Sequence, residues 1–133
     1  MAEVEAGIFG RLSGQTALTN LVGTKIFPGM APPRTAMPYI TYFKVSDYRV
    51  HAMRGDPGLA GPRIQVDVWS TSFTQAKSIS IQVRTALQDF SGSTGGVAFQ
   101  RIFFEDENSF TEMDLETDEP TYHISQDYFA WHD

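Results

Sequence analysis

Residues 61–90 constrain the fold more than any other stretch, because they join a strand pattern directly to a helix pattern. Between Arg63 and Trp69 apolar and polar residues alternate, which predicts a strand with one buried face. Ser72 and Gln75 have the spacing of a helix N-terminal capping pair. Apolar residues then recur every three or four positions: Ala76, Ile79, Val83, Ala86, Leu87 and Phe90. We expect the strand face and the helix stripe to bury each other as the core.

The other segments predict a mixed α+β fold. Residues 3–12 indicate a short N-terminal helix, and one or two helical turns follow at 16–22. Strand patterns occur at 39–47, 97–104 and 122–131, with a brief one at 25–27. Short connections favour a mainly antiparallel sheet of about four strands. One long helix and the short N-terminal helix are expected on one face of this sheet.

The length of 133 residues predicts a single domain, residues 1–133, without internal repeats. Three connecting segments are expected between its elements. Residues 51–62 carry three glycines and two prolines and indicate a long mobile loop. Residues 91–96 indicate a flexible turn, and 105–120 indicate an acidic loop. Three apolar residues interrupt the acids, so part of this loop is expected to pair or dock: Phe110, Met113 and Leu115.

Composition excludes several classes of protein. There is no cysteine, so disulfides, thiolate metal sites and cysteine nucleophiles are unavailable. No run of apolar residues is long enough to span a bilayer, and the N-terminus is acidic rather than basic. We therefore expect a soluble protein made in a reducing cytoplasm, with no membrane partner.

Charge is divided unevenly along the chain. Residues 1–101 hold all 10 Lys and Arg against six acids, a net charge of +4. Residues 102–133 hold 10 acids and no Lys or Arg, a net charge of −10, which gives −6 in total. Proteins grip nucleic acid by neutralising phosphates with cations, so this chain is a poor candidate for tight DNA or RNA binding.

Side chains able to carry out chemistry do not form a recognisable motif. His51, His123 and His132 lack the spacing of a metal site, and no cofactor is expected. Asp67 and Asp127 lie on predicted strands. They either act as an acid–base pair, or point to solvent or make ion pairs across the sheet with Arg63, Arg84 or Arg101. Strand aromatics are numerous and are either core or an exposed interface patch.

A series of segments resembles a known family when their order is considered. They are LVGTKIFPG, MPYITY, a Gly-rich loop, RIQVDVWS, TALQDFSG and SQDYFAWH. Together they resemble the tail-completion (tail-terminator, tail-to-head joining) proteins of long-tailed bacteriophages and gene-transfer particles, over residues 9–132. The acidic segment 105–120 is richer in acids than is usual for that family.

This resemblance implies a structural virion protein without catalysis. Its copies would form a ring, commonly a hexamer, that ends the tail tube and joins it to the head connector. The implied partners are other copies of the chain, the tail tube protein and a head-connector or stopper protein. Double-stranded DNA would pass through the lumen without specific binding. Assembly would take place in the cytoplasm of the bacterial host, and the location would be the tail–head interface of the virion.

A ring needs two unlike surfaces on each subunit, and the basic-leaning body and acidic segment are suitably unlike. We expect the acidic cluster 105–119 at the lumen or at a subunit contact, and the loop 51–61 to become ordered only on assembly. The candidate interface residues are His51, Arg54, Asp56, Leu59, Trp69, Glu105, Asp106, Glu107, Phe110, Glu112, Asp114 and Glu116.

Two alternatives remain open from the sequence. One is another phage neck component, such as a connector-adaptor subunit. The other is a small α+β enzyme or ligand-binding domain with a pocket near Asp67, Trp69 and Asp127. A deep, closed cavity lined by those three residues would favour the second alternative.

Overall fold

The core forms where the strand and the helix of residues 61–90 face each other, as the alternation predicts. In the computed structural model, which describes residues 3–47, 61–113, 115 and 118–132, three apolar side chains of this strand are fully buried: Ile64, Val66 and Val68. The helix stripe of Ala76, Ile79, Val83, Ala86 and Leu87 packs in the same core. The Ser72 hydroxyl accepts a hydrogen bond from the Gln75 backbone N–H, so the expected cap is present.

Three helices and six strands make up the described chain. The helices are α1 (Val4–Ser13), α2 (Thr16–Val22) and α3 (Phe73–Leu87). The strands are β1 (Ile26–Pro28), β2 (Tyr39–Ser46), β3 (Arg63–Ser70), β4 (Gly92–Thr94), β5 (Val97–Met113) and β6 (Pro120–His132). The α+β class is confirmed, whereas the count of about four strands and two helices is too low.

The strands form one sheet in the order β1-β2-β3-β6-β5-β4. Only β1 and β2 are parallel, and every other neighbouring pair is antiparallel. The central strands β3 and β6 pair along their full common length, from Arg63 opposite Phe129 to Ser70 opposite Tyr122. Two short strands lie at the sheet edges: β1 corresponds to the brief strand predicted at 25–27, whereas β4 was not predicted and occupies part of the turn expected at 91–96.

Strand β5 differs most from the sequence prediction. The strand predicted at 97–104 continues to Met113, so the acidic loop expected from 105 begins as a strand paired with β6. Strand formation is possible because the acids lie at the sheet edge, where most of their side chains remain solvated. The pairing expected for part of this segment is thus present.

A bulge also changes which β5 side chains are buried. A strict alternation along the strand predicted at 97–104 would place Phe99 and Phe103 on one side and Ile102 on the other. A register shift between Phe99 and Arg101 instead brings Phe99 and Ile102 into the same core and leaves Phe103 exposed. One extra residue in a strand reverses the facing of the residues after it, and here a second shift between Phe104 and Asp106 restores it. A strict period of two cannot anticipate either shift.

Glycines allow α1 to approach the β4–β5 turn closely. Gly10 on α1 faces Thr94 and Gly95, and a side chain at Gly95 would overlap the Ala6 carbonyl oxygen. Gly95 also has a φ of 58°, a conformation that favours glycine. Glycine weakens an isolated helix, but Gly10 lets α1 pack closely against the β4–β5 turn.

Gly95→Ala should lower the free energy of unfolding by about 3 kcal/mol or more, because backbone strain and steric overlap combine. Gly29→Ala is the matched control: Gly29 has a φ of 74°, but no atom lies within 4 Å of the added methyl group. The control should cost only about 1 kcal/mol. Urea denaturation measures both, and equal losses would show that the close approach does not contribute.

A polar network is buried between the sheet and α3. The Gln126 side chain donates from Nε2 to the Ser80 carbonyl at 3.0 Å and to Glu107 Oε1 at 2.8 Å. Its Oε1 accepts a hydrogen bond from the Tyr128 hydroxyl at 2.8 Å. Lys77 reaches the other carboxylate oxygen of Glu107 at 3.4 Å. A buried amide satisfied on both ends fixes the register of β6 against α3.

Burial raises the pKa of the Tyr128 hydroxyl above its ordinary value of 10.0. The stability that the neutral hydroxyl provides is therefore complete below pH 10 and decreases as pH rises through and above that value. Tyr128→Phe leaves Gln126 Oε1 without its donor and should cost about 1–3 kcal/mol at pH 8. The difference between wild type and variant should narrow above about pH 10, by at most about 1.4 kcal/mol per pH unit. Urea denaturation from pH 8 to above pH 10 measures this stability difference. A difference that does not change with pH would contradict a buried, neutral Tyr128 hydroxyl with a raised pKa.

Candidate functional site

The helices pack on one side of the sheet, and we call the opposite side, within the described residues, the open face. Strand register defines its members by the side chains that alternate with the core. They are Tyr39, Thr41, Phe43 and Ser46 on β2; Arg63, Gln65, Asp67 and Trp69 on β3; Thr121, His123, Ser125, Asp127, Phe129 and Trp131 on β6; and Arg101, Phe103, Asp106, Asn108, Phe110 and Glu112 on β5.

Aromatic side chains occupy one end of the open face. The Trp69 and His123 rings stack with their centroids 3.8 Å apart and their planes 12° from parallel. Tyr39 lies against the other side of Trp69, and Phe110 contacts His123 with a centroid separation of 5.4 Å. The indole N–H of Trp69 donates to the Thr41 hydroxyl at 3.2 Å. This aromatic row crosses four strands and extends to the exposed Phe110 on β5.

Asp67 is the most buried carboxylate of the open face, with 3% of its surface exposed. The Nε2 atom of His123 lies 2.8 Å from Oδ1 of Asp67. Because a carboxylate oxygen accepts, the proton of this hydrogen bond belongs to His123. The Gln65 amide donates to both Asp67 oxygens at 3.1 Å. These bonds hold the His123 ring in the plane that stacks on Trp69.

Asp127 has a different partner. Its Oδ2 accepts from Arg63 at 2.8 Å across the β3–β6 pair, one of the ion pairs that the sequence suggested. Hydrogen bonding to Asp127 raises the pKa of Arg63, and the charges of Asp127, Asp106 and Glu105 add to this effect. Oδ1 of Asp127 is buried without a hydrogen-bond partner among the described residues. Asp67 and Asp127 are therefore held by separate partners, as structural carboxylates are.

At the other end of the open face lies a groove of about 550 Å³, lined by Ser46, Asp47, Phe103, Glu105, Phe129 and Trp131. Phe103 and Phe129 are direct cross-strand neighbours and form its floor with Trp131. A second, smaller cavity of about 240 Å³ lies at the aromatic end and includes Tyr39, Thr41 and Trp69. Neither cavity is lined by Asp67 or Asp127.

The structure brings part of the predicted interface together. Trp69 and Phe110 share the aromatic row through His123, and Glu112 follows Phe110 on the same face. Glu105 lines the groove at the opposite end. Asp106 lies opposite Asp127 in the register and accepts hydrogen bonds from the Glu107 backbone and the Asn108 amide.

Glu107 is separated from these residues because it points to the helix side, where Lys77 and Gln126 bind it. Six of the predicted interface residues lie outside the described residues: His51, Arg54, Asp56, Leu59, Asp114 and Glu116.

No local sequence motif marks His123 or Gln126 as organising residues. The role of His123 depends on its position opposite Trp69 in the β3–β6 register, and its spacing to the other histidines does not reveal it. Placing Trp69 opposite His123 sets the register of the two strands. Gln126 alternates with apolar residues on β6, so a buried glutamine between Ile124 and Tyr128 was the available signal.

Two further properties bear on the class of site. Among the described residues, no group of three or more His, Asp or Glu side chains is arranged to hold a metal ion. No helix in the described part of the chain is long and apolar enough to cross a membrane.

Asp67→Asn should lower the free energy of unfolding by about 2 kcal/mol, because a buried amide replaces the carboxylate that accepts from both Gln65 and His123. Asp47→Asn is the control, since Asp47 is exposed and makes only a 3.5 Å contact with Lys44. Urea denaturation at neutral pH should separate the two variants clearly. Surface substitutions change the free energy of unfolding by about 0.5 kcal/mol or less. If both variants lie within that range of wild type, the Asp67 contacts are not stabilising.

Comparisons with known proteins agree with this architecture. The family described as "Tail completion protein gp17" matches residues 6–133. No curated protein matches the chain. A chain in a solved structure titled "Virion of native gene transfer agent (GTA) particle" has the same fold, with a TM-score of 0.68 and 19% sequence identity. The match covers 97% of this chain and 93% of that one.

The family match extends over nearly the whole sequence, including every element that builds the open face. The resemblance inferred from the order of the sequence segments is thereby confirmed. This chain belongs to the tail completion protein gp17 family and is a structural protein of the bacteriophage virion.

Proposed function

We propose that copies of this chain assemble into a ring that ends the tail tube and joins it to the head connector. The whole of residues 1–133 acts as one subunit domain, and six copies close the ring around a channel for double-stranded DNA. The ring contacts the tail tube protein on one side and a head-connector or stopper protein on the other. The observation that carries this proposal is the outer edge of β5, with which no described strand pairs beyond Ile102.

The outer edge of β5 is open over residues 103–113. Strand β4 pairs only with residues 97–99, and residues 89 and 90 bond to Ile102. Beyond that point no described strand pairs with the outer side of β5. A long edge strand exposes backbone donors and acceptors that can pair with another chain. Apolar side chains lie exposed along it: Phe103, Phe110 and Met113.

Charge on this edge favours a contact with a different patch. If two β5 edges paired with each other, Glu105, Asp106 and Glu112 of both copies would be brought together and repel. Residues 1–101, with a net charge of +4, offer a more favourable surface. A contact between two different patches repeats around an axis, and it gives a ring when the rotation closes. The acidic edge therefore favours a ring over a two-fold dimer.

The same charges suit a channel that DNA crosses. Acidic side chains of 105–119 that are not used in the subunit contact repel phosphate when they face the lumen. The ring therefore lets DNA pass without specific binding. The protein works without a catalytic step or a cofactor, which is consistent with Asp67 and Asp127 being held by separate structural partners. The candidate interface residues of loop 51–61 contact a neighbouring copy or the tube in this proposal.

Light scattering across a range of protein concentrations, followed by electron microscopy, tests the ring. We expect a closed ring either in concentrated protein or on addition of purified tail tubes, where it should cap one end. A chain that stays monomeric under both conditions and leaves tube ends bare would contradict the proposal. An open, continuing filament would contradict the ring while leaving the edge contact in place.

Phe110→Ala should weaken assembly at least tenfold, because it removes an exposed aromatic anchor from the β5 edge. Phe73→Ala on α3 is a matched control. The two side chains are 50% and 52% exposed, and each makes one aromatic contact, with His123 and Tyr122 respectively. The dissociation constant from sedimentation should rise for Phe110→Ala and stay near wild type for Phe73→Ala. Equal effects would remove the support for the β5 edge as the contact.

A further inference from the structure

We propose that the groove lined by Ser46, Asp47, Phe103, Glu105, Phe129 and Trp131 receives an arginine or lysine side chain from a second copy of the chain. This inference rests on the proposed ring and names one contact within it. The groove is formed where the open face ends, beside the unpaired edge of β5.

The aromatic lining suits the body of a long cationic side chain. Phe103 and Phe129 lie side by side across the β5–β6 pair, and Phe103 remains 42% exposed. Trp131 completes the apolar surface. Arginine and lysine pack their stems on such surfaces, and their charged ends are attracted to aromatic ring faces. Arginine fits best, because its planar group stacks on rings and pairs with carboxylates simultaneously.

The charges of the lining call for a cation. Asp47 and Glu105 contribute two exposed carboxylates, and none of the lining residues that the structure describes is basic. Lys44 contacts Asp47 only at 3.5 Å. Arg63, in the same cross-strand row as Phe129, is occupied by Asp127 at 2.8 Å. An incoming guanidinium would form charge-assisted hydrogen bonds with Glu105 or Asp47.

Two observations favour a second copy as the source of this cation. Glu105 and Phe103 belong to the β5 segment whose free edge carries the proposed ring contact, so a neighbour docked there lies next to the groove. All 10 Lys and Arg lie in residues 1–101, the part of a neighbour that the acidic edge attracts. At about 550 Å³ the groove has the size of a small-ligand site and accommodates a long side chain.

Photo-crosslinking from inside the groove identifies its occupant. Phe103 is replaced by benzoylphenylalanine, and ¹⁴N- and ¹⁵N-labelled copies are mixed, assembled and irradiated. Mass spectrometry of the crosslinked peptides then separates links between copies from links within one chain. We expect mixed-isotope links to a peptide from residues 1–101 that contains Arg or Lys near the crosslinked position.

Charge-neutralising variants give a second readout. Asp47→Asn combined with Glu105→Gln should weaken ring assembly at least tenfold, with the circular dichroism spectrum and unfolding midpoint of the variant unchanged. Glu3→Gln combined with Asp89→Asn is the control, because it removes the same charge from exposed residues outside both the groove and the acidic segment 105–119. Equal weakening by both pairs would indicate a general charge effect and overturn the inference.

The outcomes distinguish this inference from the proposed function. A ring whose groove crosslinks only within one chain, or to a segment without Arg or Lys, overturns the groove contact and leaves the ring standing. Crosslinks from the groove to tail tube protein, when tubes are present, likewise reject a second copy as the occupant. If no ring forms in concentrated protein or on tubes, the proposed function itself fails, and the groove contact fails with it.

Discussion

Burial of the inner sheet face under α3 is the interaction on which the rest of the structure depends. Ile64, Val66 and Val68 contribute one wall of the core, and the α3 stripe contributes the other. Because successive strand residues point to opposite faces, fixing these three also fixes Gln65, Asp67 and Trp69 outward. The composition of the open face is thus a direct consequence of how the core is packed.

The open face is specified by pairwise contacts rather than by a second hydrophobic layer. Asp67 is surrounded by hydrogen-bond donors, and the aromatic row is held by stacking of Trp69 on His123. These contacts bury Asp67 in the middle of the open face, whereas Phe103 and Phe110 stay exposed at the edge. A surface of fixed aromatic and acidic groups is well suited to meeting another protein.

The sequence predicts the core and the fold class well because both depend on local periodicity. The strand at 63–69, its helix and the Ser72 cap all follow from spacing within a few residues. The bulge near Phe99 and the extension of β5 to Met113 could not be predicted in this way. Both depend on pairing with β6, which is distant in the chain and supplies the register that local charge argued against.

The candidate site was predictable to a lesser degree for the same reason. Trp69, Glu105 and Phe110 were proposed as interface residues from their residue type and segment, but the sequence did not indicate that Trp69 meets Phe110 through His123. Glu107 was grouped with its acidic neighbours, whereas the alternation of β5 turns it towards Lys77. Cross-strand neighbours carry this information, and composition alone does not.

The ordering of β5 by the core and by β6 affects how another chain can bind to its edge. Three residues in the first part of β5, Val97, Phe99 and Ile102, are anchored in the core, and the strand pairs with β6 from Phe99 to Met113. The backbone of residues 103–113 is therefore already extended and ordered before any neighbour arrives. When a partner strand pairs with this ordered edge, the subunit loses little conformational entropy. A modest contact area is then enough for stable binding.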